Sequence, residues 1–177
     1  VSIFHDQEKG VLWTPQGLGA DDRAGVFSIL MLIKQGYRPS IIFTTGEEKG
    51  GIGALDLVLA YDRPLTQTNF IIELDRQGVN DAVYYDCGNE EFQNFIESFG
   101  FVKDWGTFSD ISFIAPHWDI AAVNLSVGYF NEHTNYEYLQ YFDTLKTIEK
   151  VSHILESYDN RQFNFQERKF DYEAWGS

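Results

Sequence analysis

Five carboxylates and one imidazole occupy positions where they could act together. Asp21 and Asp22 open a helical pattern, and Glu47 and Glu48 sit in the glycine-rich turn Gly46-Glu47-Glu48-Lys49-Gly50-Gly51. Asp75 follows the apolar run from Asn69 to Leu74, and His133 lies in Asn131-Glu132-His133-Thr134. Taken singly, each has an ordinary explanation: a helix cap, a solvated turn, a surface histidine. Taken together they point to a cation, because crowded carboxylates repel one another unless a positive charge holds them.

The surrounding pattern supplies a reason for them to converge. Val11-Leu12-Trp13 reads as a short strand. A helix follows from Asp21, with Ala24, Phe27, Leu30 and Met31 on its apolar face and Gly36 as its stop. Ser40–Thr45 predicts a buried strand, and a second helix is expected from about Gly53 to Tyr61. Further strands are expected at Asn69–Leu74, Ala82–Tyr85 and Ala121–Ser126, with helices over Glu90–Phe99 and Glu137–Ser157. Strands alternating with helices predict an α/β three-layer sandwich, with a mostly parallel central sheet and helices on both faces. The Glu pair, Asp75 and His133 would each follow the carboxyl end of a strand, the edge where open α/β sheets bind ligands.

Composition narrows the field. The chain has 177 residues, and 13 Lys+Arg against 27 Asp+Glu give a net charge of −14, a field that repels phosphate backbones and argues against nucleic-acid partners. No stretch reaches the roughly 18 apolar residues of a membrane span, and there is no basic-then-apolar leader, so a cytoplasmic protein is expected. No repeat or linker-like run divides the chain, which reads as one domain. It begins on the strand-like Val1-Ser2-Ile3-Phe4 and reads as cut from a longer protein. The lone Cys87 excludes an intrachain disulfide, and its acidic neighbour Asp86 argues for a structural thiol. Gly17-Leu18-Gly19 and Gly51-Ile52-Gly53 begin a dinucleotide fingerprint, but Asp22 and Asp56 occupy the third glycine position.

With Gly19-Ala20-Asp21-Asp22-Arg23-Ala24-Gly25, Thr45-Gly46-Glu47-Glu48-Lys49-Gly50-Gly51, Leu74-Asp75 and Asn131-Glu132-His133-Thr134, the sequence resembles the co-catalytic zinc exopeptidases of the M28 and M20 type. The single-domain, M28-like aminopeptidases are nearer, because the interval between Asp75 and His133 leaves no room for an inserted lid domain. The resemblance implies that Asp21 bridges two zinc ions, with a cis Asp21–Asp22 peptide and Asp22 behind it. It implies Glu47 as general base, Glu48 and His133 on one metal, and Asp75 on the other. Such a pair of ions polarises a scissile carbonyl and acidifies a bound water. The implied substrate is a peptide or amino-acid derivative, and the acidic rim favours a free α-amino group, hence an aminopeptidase. Trp105–Asp110 is a candidate pocket wall.

One element of the pattern is missing. The resemblance requires a His-x-Asp upstream of Asp21, but His5 is followed by Asp6-Gln7, and His117-Trp118-Asp119 lies far downstream. The second metal then keeps only Asp21 and Asp75, so about one zinc per chain is expected. A catalytically impaired relative or binding module of the same fold, and an N-acyl amino acid amidohydrolase, remain as alternatives.

Overall fold

Two four-stranded sheets carry the architecture, in a computed structural model that describes residues 2–168. The first joins β1 (Phe4–Asp6), β2 (Val11–Trp13), β8 (Tyr138–Gln140) and β7 (Tyr129–Phe130) in that order, all antiparallel. The second runs β3 (Ile71–Arg76), β6 (Ala122–Ser126), β4 (Asp81–Val83) and β5 (Val102–Asp104). In it β3 pairs parallel with β6 and β4 parallel with β5, whereas β4 and β6 are antiparallel. The α-helices among the described residues are α1 (Ala20–Gln35), α2 (Ile52–Ala60), α3 (Glu90–Glu97), α4 (Ile111–Trp118) and α5 (Tyr141–Ser157).

The core forms around β6, which is buried along its whole length. Alternation sorts its side chains by face. Val123 and Leu125 pack with Ala24 and Leu32 of α1, Phe92 and Ile96 of α3, and Ile148, Val151 and Ile154 of α5. Ala122 packs instead with Ile111 and Ala115 of α4. A separate cluster joins Ala54 and Val58 of α2 to Ile114 and Trp118 of α4. Polar bonds fix α5 on the strand end, where Thr144 Oγ1 donates to Val127 O at 2.8 Å and Thr147 Oγ1 to Ser126 O at 2.7 Å.

The α/β class stands, but the mostly parallel central sheet does not: one sheet is antiparallel and the other mixed. The short strands β7 and β8 lie in what reads as loop and helix start, so α5 begins at Tyr141 rather than Glu137. Ser40–Thr45 forms no strand, and Ile41, Ile42 and Phe43 are 38%, 43% and 57% exposed. Apolar β-branched residues favour a strand only where a neighbour supplies ladder bonds, and none among the described residues does so here. In α1 the buried stripe is Ala24, Ser28 and Leu32, spaced four apart, and Leu30 faces out at 54% exposure. His117-Trp118-Asp119 forms the end of α4. Trp118 Nε1 donates to Tyr61 O at 2.9 Å, and Asp119 caps the helix. Val1, the first residue of the strand-like start, lies outside the described residues.

Candidate metal centre

The segment before α1 is held by a residue remote in sequence. The buried Glu137 accepts from the backbone N–H of Asp21 at 3.0 Å and from that of Gly19, which adopts a left-handed φ of 63°. The Asp21–Asp22 peptide is cis, as the resemblance implies. Asp22 turns inward, its Oδ1 accepting from Gly25 N at 3.0 Å. Gly25 lets the helix approach the sheet, since a Cβ there would lie 1.8 Å from Leu74 O. That contact brings the start of α1 against the strand that carries Asp75.

Glu47 and Glu48 occupy a single 3-10 turn, Glu47–Lys49, framed by Gly46, Gly50 and Gly51 at positive φ. Asp75 lies inside β3, not beyond its end. The buried Asn124 clamps the Asp75 backbone, accepting from its N–H at 3.0 Å and donating to its C=O at 2.9 Å. Tyr129 Oη donates to Asp75 Oδ1 at 3.2 Å. His133 sits at a φ of 62° beside a turn in which Thr134 Oγ1 donates to Asn131 O.

These elements bring Asp21, Glu48 and His133 together, with one potential ligand atom from each lying within 4.8 Å of the others. His133 Nε2 is 2.5 Å from Glu48 Oε1 and 3.0 Å from Asp21 Oδ2. One imidazole nitrogen and two carboxylate oxygens, with room for a fourth ligand, fit the donor set of a catalytic zinc site. Asp75 lines the same cavity, and the charge of Asp21 acts on its carboxyl group. Glu47 shares the cavity, whereas Asp22 lies behind it against Gly25. His5 on β1 and His117 on α4 stand outside the group.

The electrostatics are those of carboxylates short of positive charge. Burial, with Glu48 next, raises the pKa of Asp21. Burial above all pushes Asp22 up to about 8, and the charges of Asp21 and Glu47 add to it. Asp75 is raised by burial and then by Asp22, Glu73 and Asp21. Glu47 is raised by burial and by Glu48, and His133 by its hydrogen bond to Glu48. A bound cation would offset this crowding and favour the ionised ligands.

A cavity of about 340 Å³ opens over the group, lined by Asp21, Glu47, Glu48, Asp75, Glu132 and His133 and also by Arg76, Thr107, Phe108 and Ser109. The Trp105–Asp110 segment therefore does contribute a wall. Glu137, Asn124 and Tyr129 carry no motif in the sequence, since each acts through bonds between segments 49 or more positions apart. Arg76 is visible only as the neighbour of Asp75.

Comparison with known proteins addresses the fold. A tripeptidase from Staphylococcus aureus superposes with a TM-score of 0.69 at 16% identity, over 89% of this chain and 76% of that one. The aminopeptidase PepT from Bacillus cereus gives 0.65 at 19% identity, over 87% and 76%. A TET aminopeptidase from a marine sediment archaeon of the Thaumarchaeota gives 0.66 at 20% identity, over 89% of this chain but 52% of that one. The chain thus spans about half the length of the TET-type enzyme. No protein-family model and no curated protein matches the sequence. Likeness at these identities defines the class of fold, an α/β domain of the kind found in PepT-type and TET-type aminopeptidases.

Proposed function

We propose that the chain is the metal-binding core of a zinc-dependent exopeptidase, acting as an aminopeptidase and nearest in type to the M28-like enzymes. The observation that carries this reading is the convergence of Asp21, Glu48 and His133 within 4.8 Å on a fold otherwise found in aminopeptidases. Zinc held there supplies Lewis-acid polarisation of the scissile carbonyl and acidifies a bound water. Asp21, Glu48 and His133 would hold that ion, and Asp75, which lines the same cavity, would serve a second one.

Glu47 is the general base. It takes a proton from the water as the oxygen bonds to the carbonyl carbon, and returns it to the nitrogen as the C–N bond breaks. Burial, the largest cause of its raised pKa, suits a group that must both accept and release that proton. The acidic rim, with Glu132, favours a substrate with a free α-amino group. The reading is tested with Glu47→Gln, which should bind zinc nearly as tightly as the parent while hydrolysis of amino-acid anilides falls by orders of magnitude. Undiminished turnover would remove Glu47 from the chemistry.

A specific observation favours a second reading, a catalytically weakened relative. Among the described residues the Asp75 position gathers carboxylates and no imidazole. Zinc titration separates the two: one tight site with little turnover fits the weakened relative, and two tight sites fit the complete enzyme.

A further inference from the structure

We propose that Arg76 forms a subsite for a carboxylate of the substrate, which makes small zwitterionic peptides the substrate class; this rests on the peptidase reading above. Among the described residues, the cavity over the candidate metal centre is lined by five acidic residues, Asp21, Glu47, Glu48, Asp75 and Glu132, and by two basic ones, His133 and Arg76. His133 is engaged by Glu48 and Asp21. Arg76 is thus the cation in the wall that the metal-binding group does not use.

Its guanidinium has donors to spare. Nη2 donates to Asp104 Oδ2 at 2.9 Å and to Trp105 O at 3.3 Å, while Nε is buried with no acceptor among the described residues. An arginine carries five N–H donors in a planar fork, a geometry that suits a carboxylate. Its partner Asp104 is half exposed, and an ion pair at such a site is held weakly enough to share the guanidinium with an incoming anion. Arg76 directly follows Asp75 on β3, so the strand that presents a candidate metal ligand also presents the anchor.

Size and charge agree. A cavity of about 340 Å³ lies near the lower end of the range for small-molecule sites, which suits a short peptide better than an extended chain. A free amine would meet the acidic side chains, and a carboxylate would meet Arg76. That carboxylate could be the peptide's own terminus or an acidic side chain.

The test uses the zinc-loaded chain and three peptides: Leu-Gly-Gly as free acid, its C-terminal amide, and Leu-Gly-Glu amide. The parent should favour the free acid over the amide about tenfold in KM. Arg76→Gln should erase that preference with kcat nearly unchanged, Arg76→Lys should restore part of it, and Asp104→Asn should preserve it. Recovery of binding by Leu-Gly-Glu amide would assign the subsite to an acidic side chain, and its failure would assign it to the terminus. Calorimetric binding of the same peptides decides the matter if none is cleaved. A preference for the free acid that Arg76→Gln removes would support the subsite while the peptidase reading fails. Equal KM or Kd for acid and amide in the parent, or binding of none of the three, would overturn the proposal.

Discussion

Glu137 is the residue whose role is least expected from its place in the sequence. It reads as the first residue of a helix, yet it is a buried carboxylate spanning Gly19 N and Asp21 N. Hydrogen bonds to a charged group contribute about 1.5–3 kcal/mol each, and these two orient the backbone that carries a candidate metal ligand. Replacing Glu137 with Gln keeps the shape and removes the charge. Zinc affinity should fall roughly 10- to 100-fold, as for other groups that orient a ligand, in a protein that remains folded by circular dichroism. His133→Ala acts more directly, by deleting the imidazole of the group. Zinc content by elemental analysis should drop to background, and full retention would show that His133 is no ligand. The convergence of Asp21, Glu48 and His133 was legible in sequence because each sits in a compact motif. Glu137, Asn124 and Tyr129 were not, because a hydrogen bond between distant segments leaves no local pattern.

At the scale of elements, the site depends on how closely α1 lies on β3. Gly25 permits that approach, and the side chain of Ala there would meet Leu74 O at 1.8 Å and the Asp22 carboxylate at 2.5 Å. Neither neighbour can yield easily, since Leu74 O belongs to the strand backbone and Asp22 is tied to Gly25 N. Gly25→Ala should therefore destabilise the fold by about 1–3 kcal/mol, the usual cost of overpacking, and weaken zinc binding by moving Asp21 away from Asp75. Thermal melting with and without zinc measures both effects; an unchanged melting temperature would mean that the helix can shift freely. Helix α1, ending at Gly36, and helix α3, expected over Glu90–Phe99, were legible from their residues, whereas the Asn89 side-chain cap of α3 emerges only in the structure. The short strands β5, β7 and β8 were not legible, because Val102-Lys103-Asp104 carries one apolar residue and the other two lie in what reads as loop and helix start. Helix α4 was hidden by Pro116, which usually marks a helix boundary rather than an interior.

Across the whole molecule, two surface properties oppose each other. The net charge of −14 keeps copies apart. Against it stands an apolar stretch that the sequence assigns to a buried strand: Ile41, Ile42 and Phe43 have no strand partner among the described residues, and Ile52 and Leu55 of the following helix are exposed as well. Among the described residues β3 ends its sheet, so its outer edge also lacks a partner there. Exposed apolar runs and free strand edges both favour association between copies. Their effect should emerge once charge repulsion is screened, and the Debye length shrinks from about 30 Å at 0.01 M salt to about 10 Å at 0.1 M. Light scattering should accordingly detect a monomer at low ionic strength and growing association as sodium chloride is added. The double variant Ile42→Lys, Phe43→Lys should suppress that growth at every salt concentration, because it places charge on the apolar run without touching the metal-binding group. Association that is equally strong in the variant, or that weakens with salt, would locate the sticky surface elsewhere.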